Sequence, residues 1–349
     1  ECENYQLHES ISGFILKLMN VQSGLESLME DEEKLEDDVL EFYFHVRDFL
    51  NIYDRVDDNY VIYTEFEQTG GFKMKLFCVN PAENLKECLE KGNSSIFFSA
   101  TFLPIQYYKK LLGADEEDYA IYIDSPFDVR NRRILIGTDI SSKYTMRGPN
   151  TYRRYAEYIL NIVKVKSGNY MVYFPSYQFM EDVYDSFKEQ ELHMLGIVKQ
   201  VANMNEEDRE VFLQQFEDAS NKNLGGFCVM GGVFSEGIDL TDERLIGSII
   251  VGTGLPQVCN EREILKNYFD GQNMAGFDYA YLFPGVNKVL QAAGRVIRTE
   301  KDKGVITLLD QRFMGRSYAE IFPREWSDRE CCDVKNLTEK LNLFWKGAI

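Results

Sequence analysis

Positive charge is in short supply in this 349-residue sequence. Lys and Arg number 38 against 57 Asp and Glu, a formal net charge of -19. Binding to a nucleic-acid backbone is driven largely by phosphate neutralisation, so so acidic a chain must make any such contact through a local patch. Histidine is scarce: His8, His45 and His193 lie far apart and read as ordinary surface or core residues. The seven cysteines form no CxxC pair, the only close ones being Cys331 and Cys332. Neither a metal-ligand pattern nor a disulfide framework is indicated, and a reducing cytoplasmic setting fits. There is no run of 18 apolar residues and no secretory leader, so no membrane role is expected. The phosphate-cradling pattern GxxxxGK[ST] is missing, and no acidic pair for magnesium closes an apolar strand. The sequence starts without methionine, and we expect it to be an excised piece of a longer protein.

What is present suits a folded protein. Hydrophobic residues make up 44%, with 21 Tyr and 24 Phe, enough for two domains with their own cores. The acidic runs at 29–41 and from Asp115 read as solvated faces. Residues 1 to about 50 carry apolar residues at helical spacing, twice, with Phe14, Phe42, Phe44 and Phe49 as packing residues. NYVIYTEF and FKMKLFCV, separated by QTGG, read as a hairpin. Pro81–Lys91 reads as a short helix, SSIFFSAT (94–101) as a buried strand, and YYKKLLG as a helix. From about Pro126 the texture changes to alternating strands and helices: strand RILIG, helix 151–166, strand NYMVYF, helix 177–190, strand GIVKQ, helix 205–219, strands GGFCVMGG and GSIIVG, helices 261–269 and 286–297, and strand GVITLLD. The remaining tail reads as helices. Such alternation predicts a mostly parallel sheet covered on both sides.

In such sheets, ligands bind beyond the carboxyl ends of the strands. Pro175, Ser176 and Tyr177 follow one strand there, and GGVFSEGID (231–239) follows another. QAAGRVIR (291–298) is expected to continue one helix and to project to the same edge. Gln291, Arg295 and Arg298 then recur at helical spacing on one face, with Gly294 allowing close backbone approach. Two guanidiniums aimed one way suit a polyanion; a salt-bridged surface helix is the alternative. Without a phosphate loop, such arginines form half of a nucleotide site, stabilising charge on a phosphoryl group held by another domain. Lys143, Arg147, Arg153 and Arg154 form a locally basic segment, either a grip on a nucleic-acid backbone or a solvated surface.

Four stretches, in order, resemble motifs of superfamily-two DNA helicases of the XPD/DinG type. Ser99–Thr101 (SAT) resembles motif III, Tyr173–Tyr177 (YFPSY) motif IV, Gly231–Asp239 motif V and Gln291–Arg298 motif VI; the match runs on through DKGVITLLDQRF to Phe313. The resemblance implies an α/β fold: a RecA-like second motor domain at 126–349, preceded by a helical arch-like segment (1–59) and the last part of a first motor domain (60–125). It implies that Arg295 and Arg298 reach nucleotide phosphates, with Gln291 placing them and the attacking water. It implies that Glu236, Gly237, Asp239 and Gly294 border the nucleotide. Ser235, Ser176 and Tyr177 would lie along single-stranded DNA, while Ser99 and Thr101 couple hydrolysis to domain movement. ATP, Mg2+ and the phosphate loop would belong to the missing first motor domain. A 4Fe-4S cluster, where the family has one, would lie upstream of Glu1, so none of these cysteines serves it. The implied activity is ATP-dependent 5'-3' DNA unwinding in repair or replication, with this fragment inactive by itself.

Two other function classes stand beside this one. A motor of the same build can serve a nuclease-linked or CRISPR-associated pathway, which only sequence outside this chain would reveal. A non-catalytic nucleic-acid or protein interaction module could keep the fold, but it has no need for two arginines in QxxGRxxR. Oligomeric state is not legible.

Overall fold

The computed structural model describes residues 4–31, 36–67, 70–188, 195–217, 223–235, 240–241 and 244–347. In chain order its main elements are β1 (Tyr5–His8), α1 (Ser12–Asp31), α2 (Asp37–Tyr53), β2 (Tyr60–Phe66), β3 (Phe72–Cys78), α3 (Ala82–Leu89), α4 (Ile105–Leu111), β4 (Arg132–Gly137), α5 (Pro149–Val165), β5 (Asn169–Phe174), α6 (Tyr177–Lys188), β6 (Gly196–Lys199), α7 (Glu206–Gln214), β7 (Leu224–Val229), β8 (Gly247–Val251), α8 (Asn260–Gly271), α9 (Phe283–Ala293), β9 (Gly304–Leu309), α10 (Arg316–Ala319), β10 (Glu330–Cys332) and α11 (Leu337–Trp345). No helix among the described residues is long and apolar enough to cross a membrane. Two compact units interleave in sequence. The first is drawn from Glu1–Phe97, Tyr107–Asp118 and Gln257–Ala280, the second from Phe98–Gln106, Tyr119–Pro256 and Tyr281–Ile349. The sequence suggested consecutive segments instead, because nothing in composition marks 257–280 as belonging with the chain's beginning.

In the first unit, β2 and β3 form the expected hairpin, in register from Tyr60↔Cys78 to Phe66↔Phe72. β1, not foreseen within a helical reading, adds to β2 antiparallel. α1 and α2 bury Ile11, Ile15, Val46 and Leu50 against Ile62 of this small sheet. Phe14 packs edge-on against Phe49, yet Phe14, Phe42 and Phe44 are all exposed. α8 joins the sheet through Glu261, which accepts hydrogen bonds from the Tyr63 hydroxyl (2.8 Å) and Lys75 Nζ (2.5 Å).

The second unit is built on a seven-stranded sheet of order β10-β4-β9-β8-β5-β7-β6 in which every pairing is parallel. Successive side chains of a strand point to opposite faces, and here both faces are covered. Leu135, Val172, Phe174, Ile249, Val251, Val305 and Leu309 face a core closed by α5, α6 and α11. Their neighbours Ile134, Ile136, Met171, Tyr173, Ile250, Ile306 and Leu308 face a second core with α9. That two-sided burial is why these strands read as near-continuous apolar runs. α9 turns Val286, Val289, Leu290 and Ala293 inward, the spacing of a single helical face.

Two local expectations fail. SSIFFSAT forms no strand, and Ile96 and Phe98 are 87% and 89% exposed. An apolar strand needs neighbours to pair its backbone and a layer to cover its side chains, and none of the ten strands pairs with this segment. The tail is not purely helical either: β10 adds to the sheet edge beside β4.

Candidate functional site

QAAGRVIR is not one helix. α9 stops at Ala293, and Gly294 caps it with its N–H on Leu290 O at 2.9 Å. The Ser248 hydroxyl donates to Ala292 O (3.1 Å), a helix-end carbonyl that also accepts a long bond from Arg295 N–H (3.5 Å). Buried Val296 then draws the chain down to β9, against Gly304. Gln291 therefore sits on the last turn of α9, and Arg295 and Arg298 lie on the loop that follows. The three do not share a helical face.

Nor does this loop reach the carboxyl rim. A helix linking parallel strands runs back from the carboxyl end of one to the amino end of the next. The arginine loop immediately precedes β9 and so lies at the amino end of the sheet. Ser176, Tyr177 and Gly231 follow β5 and β7 and occupy the opposite, carboxyl edge.

The turn after β7 bridges these two places. Gly231 has φ +73, a conformation few side chains adopt, and the aliphatic stem of Lys288 on α9 lies where a Cβ would go. Ser235 is fully buried; its hydroxyl accepts from Gly231 N–H (3.0 Å). Expected to face a DNA phosphate, Ser235 instead closes its own turn here. The next links are to two consecutive carbonyls. Buried Tyr173, from β5, donates its hydroxyl to Phe234 O (3.0 Å), and Arg295 Nε donates to Ser235 O (3.1 Å). Burial pushes the Tyr173 hydroxyl far above its ordinary pKa, against the nearby charge of Arg295, so it remains a neutral donor. Arg298 is held by its backbone: its N–H and that of Thr299 both donate to Asp302 Oδ2 at 2.7 Å, and Asp302 is 3% exposed. Glu236, Gly237 and Asp239 lie outside the described residues. Gly294 is exposed beside the arginines.

At the carboxyl rim, Ser176 caps α6, its hydroxyl accepting from Phe179 N–H at 3.2 Å. Tyr177 is exposed, and Gln200 donates to its hydroxyl (3.1 Å) while accepting from Val229 N–H (2.9 Å). The loop after β4 is anchored by Asp310, at the end of β9. This fully buried carboxylate accepts from Ser142 N–H (2.8 Å), the Ser142 hydroxyl (2.9 Å) and Arg312 Nε and Nη2 (2.9 and 2.7 Å). Burial pushes its pKa up, but hydrogen bonds and charge from Arg312 outweigh that and hold it below the usual carboxylate range. Gly252, at φ +79, leaves room for the Ser142 hydroxyl. Of the basic segment, Arg154 is paired with Asp139 and Glu157, whereas Arg147 donates to Ser142 O (3.2 Å). Ser99 and Thr101 share a local turn, the Thr101 N–H donating to Ser99 Oγ (3.1 Å).

Sequence reading missed Tyr173, Asp302 and the Asp310–Arg312 pair. Their only signal was position: a polar residue inside an apolar strand, and aspartates flanking β9. Among the described residues no group of three His, Cys, Asp or Glu is arranged to hold a metal, and apart from the adjacent Cys331 and Cys332 on β10 the cysteines lie apart in sequence. These residues do not supply the four thiolates that hold an iron–sulfur cluster.

The helicase C-terminal domain family matches residues 159–329. The ATP-dependent DNA helicase XPD of Sulfolobus acidocaldarius is 30% identical over 235 residues, covering 63% of this chain and 39% of that protein. The regulator of telomere elongation helicase 1 homolog of Drosophila yakuba is 26% identical over 312 residues, 80% of this chain and 31% of the relative. This chain thus spans less than half of either. A solved XPD helicase structure superposes with a TM-score of 0.58 at 22% identity, covering 95% of this chain and 58% of its own, a likeness of fold.

Proposed function

We propose that this chain, whose residues 159–329 match the helicase C-terminal domain family and which is similar to an ATP-dependent DNA helicase XPD, is the second motor half of an ATP-dependent 5'-3' DNA helicase of the XPD/DinG type working in repair or replication. The observation that carries this is the join between Arg295 and the turn after β7, the Nε–Ser235 O bond. The Nε bond holds the Arg295 guanidinium at this turn, where it addresses a phosphate, and Arg298 follows on a loop braced by Asp302. Gln291, at the end of α9, orients the attacking water, and Glu236, Gly237, Asp239 and Gly294 border the nucleotide. Charge stabilisation by preset donors is the chief means by which proteins speed phosphoryl transfer.

The nucleotide and its Mg2+ are held mainly by a first motor domain, of which residues 60–125 are the last part and 1–59 an arch-like insertion. Single-stranded DNA runs along the carboxyl rim past Ser176 and Tyr177. The turn 231–235 starts at that rim and ends on Arg295, so a shift at either place is felt at the other. Ser235 acts through this turn, touching DNA only if the turn opens. Ser99 and Thr101 couple hydrolysis to movement of the first motor domain. The unpaired thiols suit a reducing cytoplasmic setting.

Calorimetric titration of ATP into this chain tests the split site. Binding too weak to saturate at millimolar ATP is expected, because no phosphate-cradling loop is present. A tight, stoichiometric signal would contradict it.

A further inference from the structure

The loop after β4 holds a feature that neither the family match nor the arginines account for. From Ile140 to Ala156 the sequence contains Lys143, Arg147, Arg153 and Arg154 and no acid, in a chain whose net charge is -19. At its centre is a short turn, Tyr144–Met146, with the Tyr144 ring 82% exposed. The Arg147 guanidinium lies 5.5 Å from the centroid of that ring and 5.2 Å from that of Phe179, on the first turn of α6. The turn therefore stands beside the loop bearing Ser176 and Tyr177.

An exposed tyrosine beside an arginine is common on surfaces. The support beneath this one is not. Arg147 Nε is fixed to Ser142 O (3.2 Å), and the preceding Ser142 is clamped by the fully buried Asp310 and by Arg312 Nη2 (2.7 Å). The Thr151 hydroxyl donates to Met146 O, tying the turn to α5. A rigid base, an outward aromatic face and local positive charge are the parts of a stacking platform for unpaired bases, since every base offers a π-face and the cations follow the backbone.

We propose that Tyr144 is a base-stacking platform for single-stranded DNA, flanked by Lys143 and Arg147 as backbone contacts. The proposal rests on the carboxyl rim being the DNA path and adds a residue and a mode of contact to it. One base stacks on the free face of Tyr144 while Arg147 supports the ring from the side of α6. Recognition by stacking is tolerant of sequence.

The test is fluorescence-anisotropy binding of an oligo(dT) strand, and of an abasic strand of equal length, to the 349-residue chain. Tyr144→Ala is expected to weaken oligo(dT) binding roughly tenfold and Tyr144→Phe to change it by less than about twofold. On the abasic strand Tyr144→Ala should have little effect, while Lys143→Ala should weaken both strands. Tyr144→Ala equal to the unsubstituted chain on oligo(dT), or equally damaging on both strands, overturns the platform and leaves the DNA path standing. No binding of either strand by the unsubstituted chain overturns both. Since the Tyr144 ring is exposed, an unchanged melting temperature serves as the check that each variant is folded.

Discussion

Asp302 and Asp310 are the residues whose chemistry depends most on being buried, and they brace different places. Asp302 accepts the backbone N–H groups of Arg298 and Thr299. Truncation leaves those donors unpaired, a loss of about 1–3 kcal/mol. Under the proposed function, Asp302→Ala in the full-length protein should lower kcat for ATP with a smaller change in KM, and Asp302→Asn, which keeps an acceptor oxygen, should recover most of it. A loss of stability with full turnover in the folded fraction would make Asp302 a simple turn brace. Asp310 belongs to a buried ion pair, and Asp310→Ala should destabilise the second unit by about 3–5 kcal/mol, measured by denaturant unfolding. Its carboxyl is held below the usual range in the fold, so its stabilisation is complete above the unfolded value of about 3.9. That stabilisation is lost as pH falls through the lower folded value. Unfolding of Asp310→Asn should accordingly depend less on pH below about 4 than that of the unsubstituted chain. An unchanged acid limb would show that Asp310 titrates normally.

At the scale of elements, the loop from Gly294 to Lys303 decides what the arginines do. Strand identities were legible in the sequence because two-sided burial leaves apolar runs, as in NYMVYF and GVITLL. The helix end was not. Gln291, Arg295 and Arg298 have helical spacing, yet the glycine cap, the Ser248 bond to Ala292 O and the pull of Val296 into the core stop α9 at Ala293. Those are tertiary contacts, invisible to periodicity. Position along the sheet was also misread, since the rule that ligands lie beyond strand carboxyl ends places Ser176 and Tyr177 but not a segment that precedes its strand. The two glycines flanking this loop should behave differently. Gly294 is exposed at φ -66, where its nearest steric neighbour would be Leu290 O at 3.3 Å. Gly294→Ala should therefore change stability by less than about 1 kcal/mol. A Cβ on Gly304 would lie 2.2 Å from Val296 Cγ1 and 2.7 Å from Ile246 O. Gly304→Ala should cost about 1–3 kcal/mol and disturb the path to the arginines. Thermal unfolding of both variants checks this, and equal melting temperatures would contradict the close packing of Val296 on Gly304.

On the scale of the whole molecule, net charge limits where a polyanion can bind. If single-stranded DNA follows the proposed path, a chain of net charge -19 offers it the exposed Lys143, Arg147 and Arg153 as local cations. Each phosphate neutralised on a single strand contributes about 0.7 to the slope of log affinity against log salt, so a slope of roughly -2 is expected. A much steeper slope would place further cations on the path. The exposed run at Ile96 and Phe98 was read from sequence as a buried strand, because an apolar run does not by itself say whether a neighbour covers it. Motif order carried the family, but the interleaving of 257–280 with the first unit left no mark in composition. Under the proposed function Arg295 serves a nucleotide held chiefly by another domain, which ATP turnover by the full-length protein with saturating single-stranded DNA checks. Arg295→Ala should reduce kcat by about a thousandfold or more, the scale on which a phosphate-stabilising arginine acts, while DNA affinity stays within about threefold. Turnover unchanged in the Arg295→Ala protein would contradict it.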